Sequence, residues 1–360
     1  GVRMKVPHFL LPIGISFFSL QGVAYAVDVY RGVIPAETNF GRLALFMSFF
    51  PQIVEGPICR YSDTAEQLWN VGAITWQNLS SGFLRILYGL TKKLIVADRL
   101  NLMITAVFTN YGEYQGGVIA IAAVCYTIQL YMDFSGTMDA VMGTAEIFGV
   151  KMPENFQRPF FSKSISEFWK RWHITLGTWF KEYLYIPLGG NRCSNPRWMF
   201  NLLVVWAATG IWHGANWTFL AWGLWFFVLL TAEKLWLGKA LSRLPRVFGH
   251  VYALLAVLIG WIFFNSRSLP DALGFLRALV VPGMGAPDGG AWLLLCLRQY
   301  GLQLAVCFVL CTDLGKKLWQ TLGGARAGRA LRYAVLALVF FLSVLTLTGS
   351  GMQAFIYARF

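Results

Sequence analysis

Two of the four histidines in this 360-residue chain, His173 and His213, have the residue type and surroundings for proton transfer. His173 sits in EFWKRWHITLGTWFKEYLYIPLGGNR, which starts at Glu167, and His213 sits in TGIWHGANW, which ends at Trp217. A neutral imidazole accepts a proton from a hydroxyl near its ordinary pKa. The activated oxygen can then attack an acyl carbonyl. Gly210 and Gly214 flank His213 with little bulk, so a ligand or a second backbone can come close. A structural histidine, hydrogen-bonded inside a helix bundle, has the same signature. The residues alone leave both readings open. There is no G-x-S-x-G elbow for a covalent serine enzyme, and H-E-x-x-H is absent. The six cysteines are scattered and lack zinc-site context; Cys307 and Cys311 lie on an apolar helix face and read as small hydrophobes.

These histidines must be positioned by membrane helices. The chain is 57% hydrophobic and 13% charged, whereas soluble domains carry nearer a quarter charged residues. Several apolar runs approach the roughly 20 residues that cross hydrocarbon. The net charge of +13 reads as cytoplasmic loop charge and contact with anionic lipid, ahead of nucleic-acid binding. The expected fold is an all-α polytopic bundle of eight to ten membrane elements, some short, tilted or re-entrant. It forms one membrane-embedded domain over residues 1–360. The start, GVRMKVPHF, has no initiator methionine and is expected to belong to a fragment or a processed product.

In chain order, Phe9–Tyr25 is a first span, and Leu43–Val54 is a half-span or re-entrant piece ending at Glu55, which either lines a cavity or is a solvated loop acid. Phe83–Val96 has Arg85, Lys92 and Lys93 as an interfacial cationic edge. Gly116–Tyr131 spans, Asp133, Ser135 and Asp139 mark a turn, and Ala140–Val150 leads back. The long connection from Lys151 to Arg197 has eight basic residues against three acids, a positive-inside signal. Within it Ser164 and Glu167 suit a capping box and Glu167 can pair with Arg171. Trp169, Trp172, Trp179 and Tyr183 suit a headgroup interface. Glu233 and Lys234 mark an interface. Placing Lys151–Arg197 in the cytoplasm puts Gly214–Asn216 and Ser266–Gly290 outside, and Lys239–Arg246 and Asp313–Arg332 inside.

Several words, taken in order, carry a resemblance. They are GISFFSLQGVAYAVDVYRG at 14–32, FFPQIVEGPICRY at 49–61, QLYMDFSGTMDAVMG at 129–143, the 153–192 segment through PLGGNR, and TGIWHGANWTFLAWG at 209–223, with GWIFFNS and FIYARF as weaker support. The chain resembles the membrane-bound O-acyltransferase family, in its bacterial, alginate O-acetylase-like branch. That resemblance implies further helices before the first word, and an enzyme of the bacterial inner membrane. It implies transfer of an acyl group, usually acetyl, from a cytoplasmic thioester such as acetyl-CoA to a hydroxyl of an extracytoplasmic polysaccharide or an SGNH-type relay protein. The family's catalytic histidine falls on His213 and its second histidine on His173. Lys170, Arg171 and Arg192 are expected to attract the donor's phosphates. No resident cofactor, metal or nucleic-acid partner is implied. Carrier-protein D-alanylation and a non-enzymatic transporter or flippase are the rival readings.

Overall fold

The computed structural model describes residues 14–53, 55–114, 116–281, 289–312 and 326–349, with 314, 317 and 321. Residues 9–13 of the expected first span, most of 313–325 and the FIYARF word lie outside them. The regular structure among the described residues is helical, apart from one isolated bridge between Phe156 and Trp172. Helix α1 covers Ile15–Tyr30, and α2 Phe40–Ser48 and α3 Phe50–Ile53 are the short pieces expected after it. Tyr61–Trp69 is α4, Trp76–Leu90 is α5, Asp98–Thr109 is α6 and Gly116–Ile147 is α7. Helices α8 (Ile165–Trp169) and α9 (Ile174–Phe180) lie in the long polar connection. Then come α10 (Asn195–His213), α11 (Trp217–Ala232), α12 (Gly238–Ser242), α13 (Arg246–Asn265), α14 (Leu269–Val280), α15 (Gly289–Cys311) and α16 (Arg326–Gly349). Among the described residues four stretches are long and apolar enough to cross a membrane: Gly116–Ile147, Trp217–Ser242, Arg246–Asn265 and Leu294–Cys311. The molecule is a multi-pass membrane protein.

Helix α7 corrects the expected turn. Its 32 residues run unbroken through Asp133, Ser135 and Asp139, a length of about 48 Å at 1.5 Å per residue. Asp133 and Ser135 are buried, Asp139 is half-buried, and both acids are paired. Beyond α5 the chain widens into a π-helical stretch, Thr91–Ala97, which carries two lysines inward. Lys92 Nζ lies 2.7 Å from Asp139, and Lys93 Nζ lies 2.9 Å from Asp98 and 3.0 Å from Asp133. Arg85 adds contacts to Asp139 at 3.1 Å and Glu154 at 2.8 Å. Lys92 and Lys93 are therefore core residues, not an interfacial edge. Glycines spaced by seven make this approach possible. A Cβ at Gly89 would lie 2.3 Å from the Gly136 carbonyl oxygen, and one at Gly143 would lie 2.6 Å from that of Gly82. The backbones of α5 and α7 touch there, which brings long cationic stems within reach of short acids. A buried charge is tolerated only with such partners.

Glu55 is also buried, at 2% exposure, so the solvated-loop reading is excluded. The aromatic residues of the long connection are mostly interior. Trp172 is buried, and Phe168, Trp169, Trp206, Trp222, Phe226 and Trp261 form one set of edge-to-face and stacked rings. Edge-to-face packing suits the ring quadrupoles. This cluster, rather than a headgroup surface, is what Trp169 and Trp172 build.

A histidine cavity along one face of α10

The connection from 151 to 194 folds back into the bundle. Ser164 caps α8 by accepting from Glu167 N at 3.0 Å, and Glu167 pairs with Arg171 at 2.6 Å, both as the sequence suggests. A second acid completes the start of α8. Glu233, in the π-helical stretch Glu233–Leu237 that extends α11, accepts from Ile165 N at 2.5 Å and Ser166 N at 2.9 Å. A carboxylate at a helix N-terminus satisfies orphan donors and meets the positive end of the dipole. Glu233 is therefore a buried cap instead of an interface marker, and it ties α8 to α11.

Between α8 and α9 stands His173, in the left-handed region with φ 49° and ψ 50°. A non-glycine residue there costs about 1–2 kcal/mol. Its neighbours hold it: Ile174 N donates to Asn155 O at 3.0 Å, and Thr175 N donates to Asn155 Oδ1 at 3.0 Å. The ring packs edge-on to Phe134, with centroids 4.7 Å apart. His213 arrives from the opposite direction as the last residue of α10. Its ring centroid lies 4.9 Å from Trp212, 5.0 Å from Trp222 and 5.1 Å from Phe264. The two helices of the hairpin meet without side chains between them. A Cβ at Gly210 would lie 2.6 Å from Phe219 O, and one at Gly223 would lie 2.4 Å from Trp206 O. Asn216 is not part of the ring cage; it caps α11 by accepting from Thr218 N and donates to Arg267 O.

Both histidines line one cavity of about 620 Å³. Along α10 its wall is Trp198, Leu202, Val205, Trp206, Thr209 and His213. Those spacings of four, three, one, three and four trace one helix face. Fifteen residues from Trp198 to His213 correspond to about 22 Å of helix, so the cavity is elongated. Lys170, Lys181 and Lys234 line it as well, all three exposed. Lys234 Nζ sits 3.8 Å above the Trp198 ring, which marks the start of α10 as the cationic mouth. No carboxylate lines the cavity among the described residues. Of the basic residues singled out from sequence, Lys170 is at the mouth. Arg171 pairs with Glu167 and lines a second cavity beside α5, α15 and α16, and Arg192 is an exposed residue of the PLGGNR turn. Sequence reasoning missed Lys181, Lys234 and Asn155. The PLGGNR turn and the apolar length of α10 separate the two lysines, and only folding brings them to one opening.

The chain belongs to the membrane-bound O-acyltransferase family, whose profile matches residues 35–264. It is 39% identical over 274 residues to the probable alginate O-acetylase AlgI of Azotobacter vinelandii, covering 76% of this chain and 54% of that protein. It is 34% identical over 307 residues to the peptidoglycan O-acetyltransferase of Helicobacter pylori, covering 76% of this chain and 57% of that protein. It is 29% identical over 284 residues to the teichoic acid D-alanyltransferase of Bacillus subtilis, covering 72% and 70%. The match spans about half the length of the alginate O-acetylases of Azotobacter vinelandii, Pseudomonas aeruginosa and Pseudomonas fluorescens.

Proposed function

We propose that this chain carries the acyl-transfer site of a membrane O-acyltransferase. It moves an acyl group, acetyl by analogy with the relatives just described, from a cytoplasmic thioester to the hydroxyl of an extracytoplasmic polysaccharide or relay protein. The observation that carries this reading is the cavity itself. Two histidines forty residues apart in sequence line one elongated space, which runs from three exposed lysines to His213 along a single face of α10.

A thioester of coenzyme A is anionic at its nucleotide end and apolar at its reacting end. Lys170, Lys181 and Lys234 would hold phosphates at the mouth, while the aromatic walls exclude water from the thioester. At the far end His213 takes the proton of the acceptor hydroxyl. The oxygen attacks the thioester carbonyl carbon, the C–S bond breaks, and the departing thiolate takes the proton from the imidazolium. The products are an O-acyl ester and the free thiol. His173 supports this step from the cavity wall.

The test is single-turnover transfer from labelled acetyl-CoA by wild type and His213→Ala, with donor binding measured separately. Loss of a positioned general base costs about 10²–10⁴ in rate. The variant should lose transfer by that order while keeping its fold and its affinity for donor. Equal single-turnover rates would remove His213 from the chemistry, and transfer exclusively to lipid would reject the acceptor class.

A further inference from the structure

We infer that Asn155 is the positioning residue for His173, and that it fixes the imidazole as the Nδ1–H tautomer with Nε2 as the acceptor. The side chain of Asn155 is buried at 1% exposure, as is His173 at 3%. Asn155 Oδ1 lies 3.3 Å from His173 Nδ1, 3.0 Å from Thr175 N and 3.0 Å from Thr175 Oγ1. The backbone contact decides the chemistry. A backbone N–H can only donate, so the atom it meets must be the amide oxygen and not the amide nitrogen. The other end agrees: Nδ2 lies 3.3 Å from Met138 Sδ, a weak acceptor. Ile58 N donates to Thr175 Oγ1 at 3.1 Å, which leaves the threonine's own hydrogen to point at Asn155. An amide oxygen cannot donate. The hydrogen between it and His173 must therefore sit on Nδ1, and in the neutral ring Nε2 then bears the lone pair.

This assignment rests on the acyl-transfer reading for its role and narrows it. Neutral His173 has already committed its one N–H to Asn155. It cannot donate a hydrogen bond to the oxygen of a tetrahedral intermediate. It can accept one, so the substrate group it meets is an N–H, O–H or S–H. The same contact links three segments far apart in the chain, since Ile58, Asn155 and Thr175 converge on the residue that enters α9 from the left-handed region.

The deciding experiment is ¹⁵N NMR of the intact membrane protein labelled at histidine, with His173→Gln used to assign the signal. Four histidines in the chain keep the spectrum simple. Neutral wild-type His173 should show a protonated Nδ1 and a bare Nε2. Asn155→Asp retains an acceptor at the same place and should keep Nδ1 protonated. Asn155→Ala should release the ring to the other tautomer and lower single-turnover transfer roughly tenfold or more, as loss of an orienting partner of a histidine does in metal sites. Its donor affinity should stay near wild type. A bare Nδ1 on the assigned His173 in wild type would overturn the inference even if neither Asn155 variant folds. A spectrum unchanged in folded Asn155→Ala would also overturn it. The acyl-transfer reading fails separately, through His213→Ala.

Discussion

Helix α7 borders two buried polar regions that are built on opposite terms. On one side Asp133 and Asp139 meet Lys92, Lys93 and Arg85, and every charge in that set has an opposite charge within 3.1 Å. On the other side Leu130 and Phe134 line the histidine cavity, where imidazoles face aromatic rings and no acid contributes to the wall among the described residues. The first region neutralises ions inside an apolar bundle. The second sets imidazole rings beside a space. A carboxylate next to His213 would raise its pKa and favour the imidazolium, the form without the lone pair that a general base uses. Opposite-charge pairing is thus the mark of the structural region, and a wall without acids among the described residues suits the proposed reactive one.

The largest effect that separates the regions should come from breaking a pair. Lys92→Met leaves the half-buried Asp139 with one fewer cation. Removing one partner of a buried pair costs about 3–5 kcal/mol. We expect a sharp fall in thermal stability and in yield, with transfer per folded molecule close to wild type. The double variant Lys92→Met, Asp139→Leu should recover part of the stability, because no carboxylate is left there with Arg85 as its one remaining cation. A stable Lys92→Met protein with impaired transfer would place this network in the chemistry and erase the distinction.

A smaller insult can be applied to both regions alike. Gly89→Ala drives a methyl against the Gly136 carbonyl, and Gly210→Ala drives one against the Phe219 carbonyl, at 2.3 and 2.6 Å from the built Cβ. Overpacking of this kind costs about 1–3 kcal/mol, outweighing alanine's better helix propensity. At Gly89 the expected readout is a lower melting temperature alone. At Gly210 the two helices that set His213 against Trp222 and Phe264 must part. Displacement of about 1 Å at a reacting centre can cost 10²-fold, so turnover should fall more than stability does. Equal behaviour of the two variants, measured by melting and by single-turnover rate, would count against the division.

The sequence exposed this contrast unevenly. His213, its small neighbours and the apolar run of α10 were legible because they are local. So were the Ser164 cap and the Glu167–Arg171 pair, whose partners lie within one helical turn. The paired network was not legible. Polar residues every few positions in α7 look like a turn when their partners, 40 to 47 residues upstream in the π-helical stretch, are unknown. The tryptophans near His173 misled for a related reason: an interfacial belt and an aromatic core use the same residues. Asn155 left no local signal, because its work is to hold a chain segment eighteen residues later in a left-handed bend. What escaped reading is contact between distant segments, which composition and period do not encode.

The smallest expected effect lies at the rim. Lys170, Lys181 and Lys234 are exposed and come from α8, from the end of α9 and from the extension of α11. None of the three takes part in the paired network, so their charge is available to a ligand. An exposed charge contributes about 0.2–1 kcal/mol to a contact, which corresponds to roughly a 1.5- to 5-fold change in affinity. Changing each to glutamine should raise the donor concentration needed for half-maximal transfer by that factor and leave the saturated rate unchanged. Salt provides the internal control. At about 0.15 M ionic strength the screening length is about 8 Å, so wild type should lose donor affinity as salt rises. The triple glutamine variant should respond much less. If the mouth lies elsewhere, wild type and variant will share one salt dependence. Lys92→Met, screened by the bundle and paired with Asp139, should leave the salt response of the folded protein untouched, because a charge already neutralised in the core has no field left to offer a substrate.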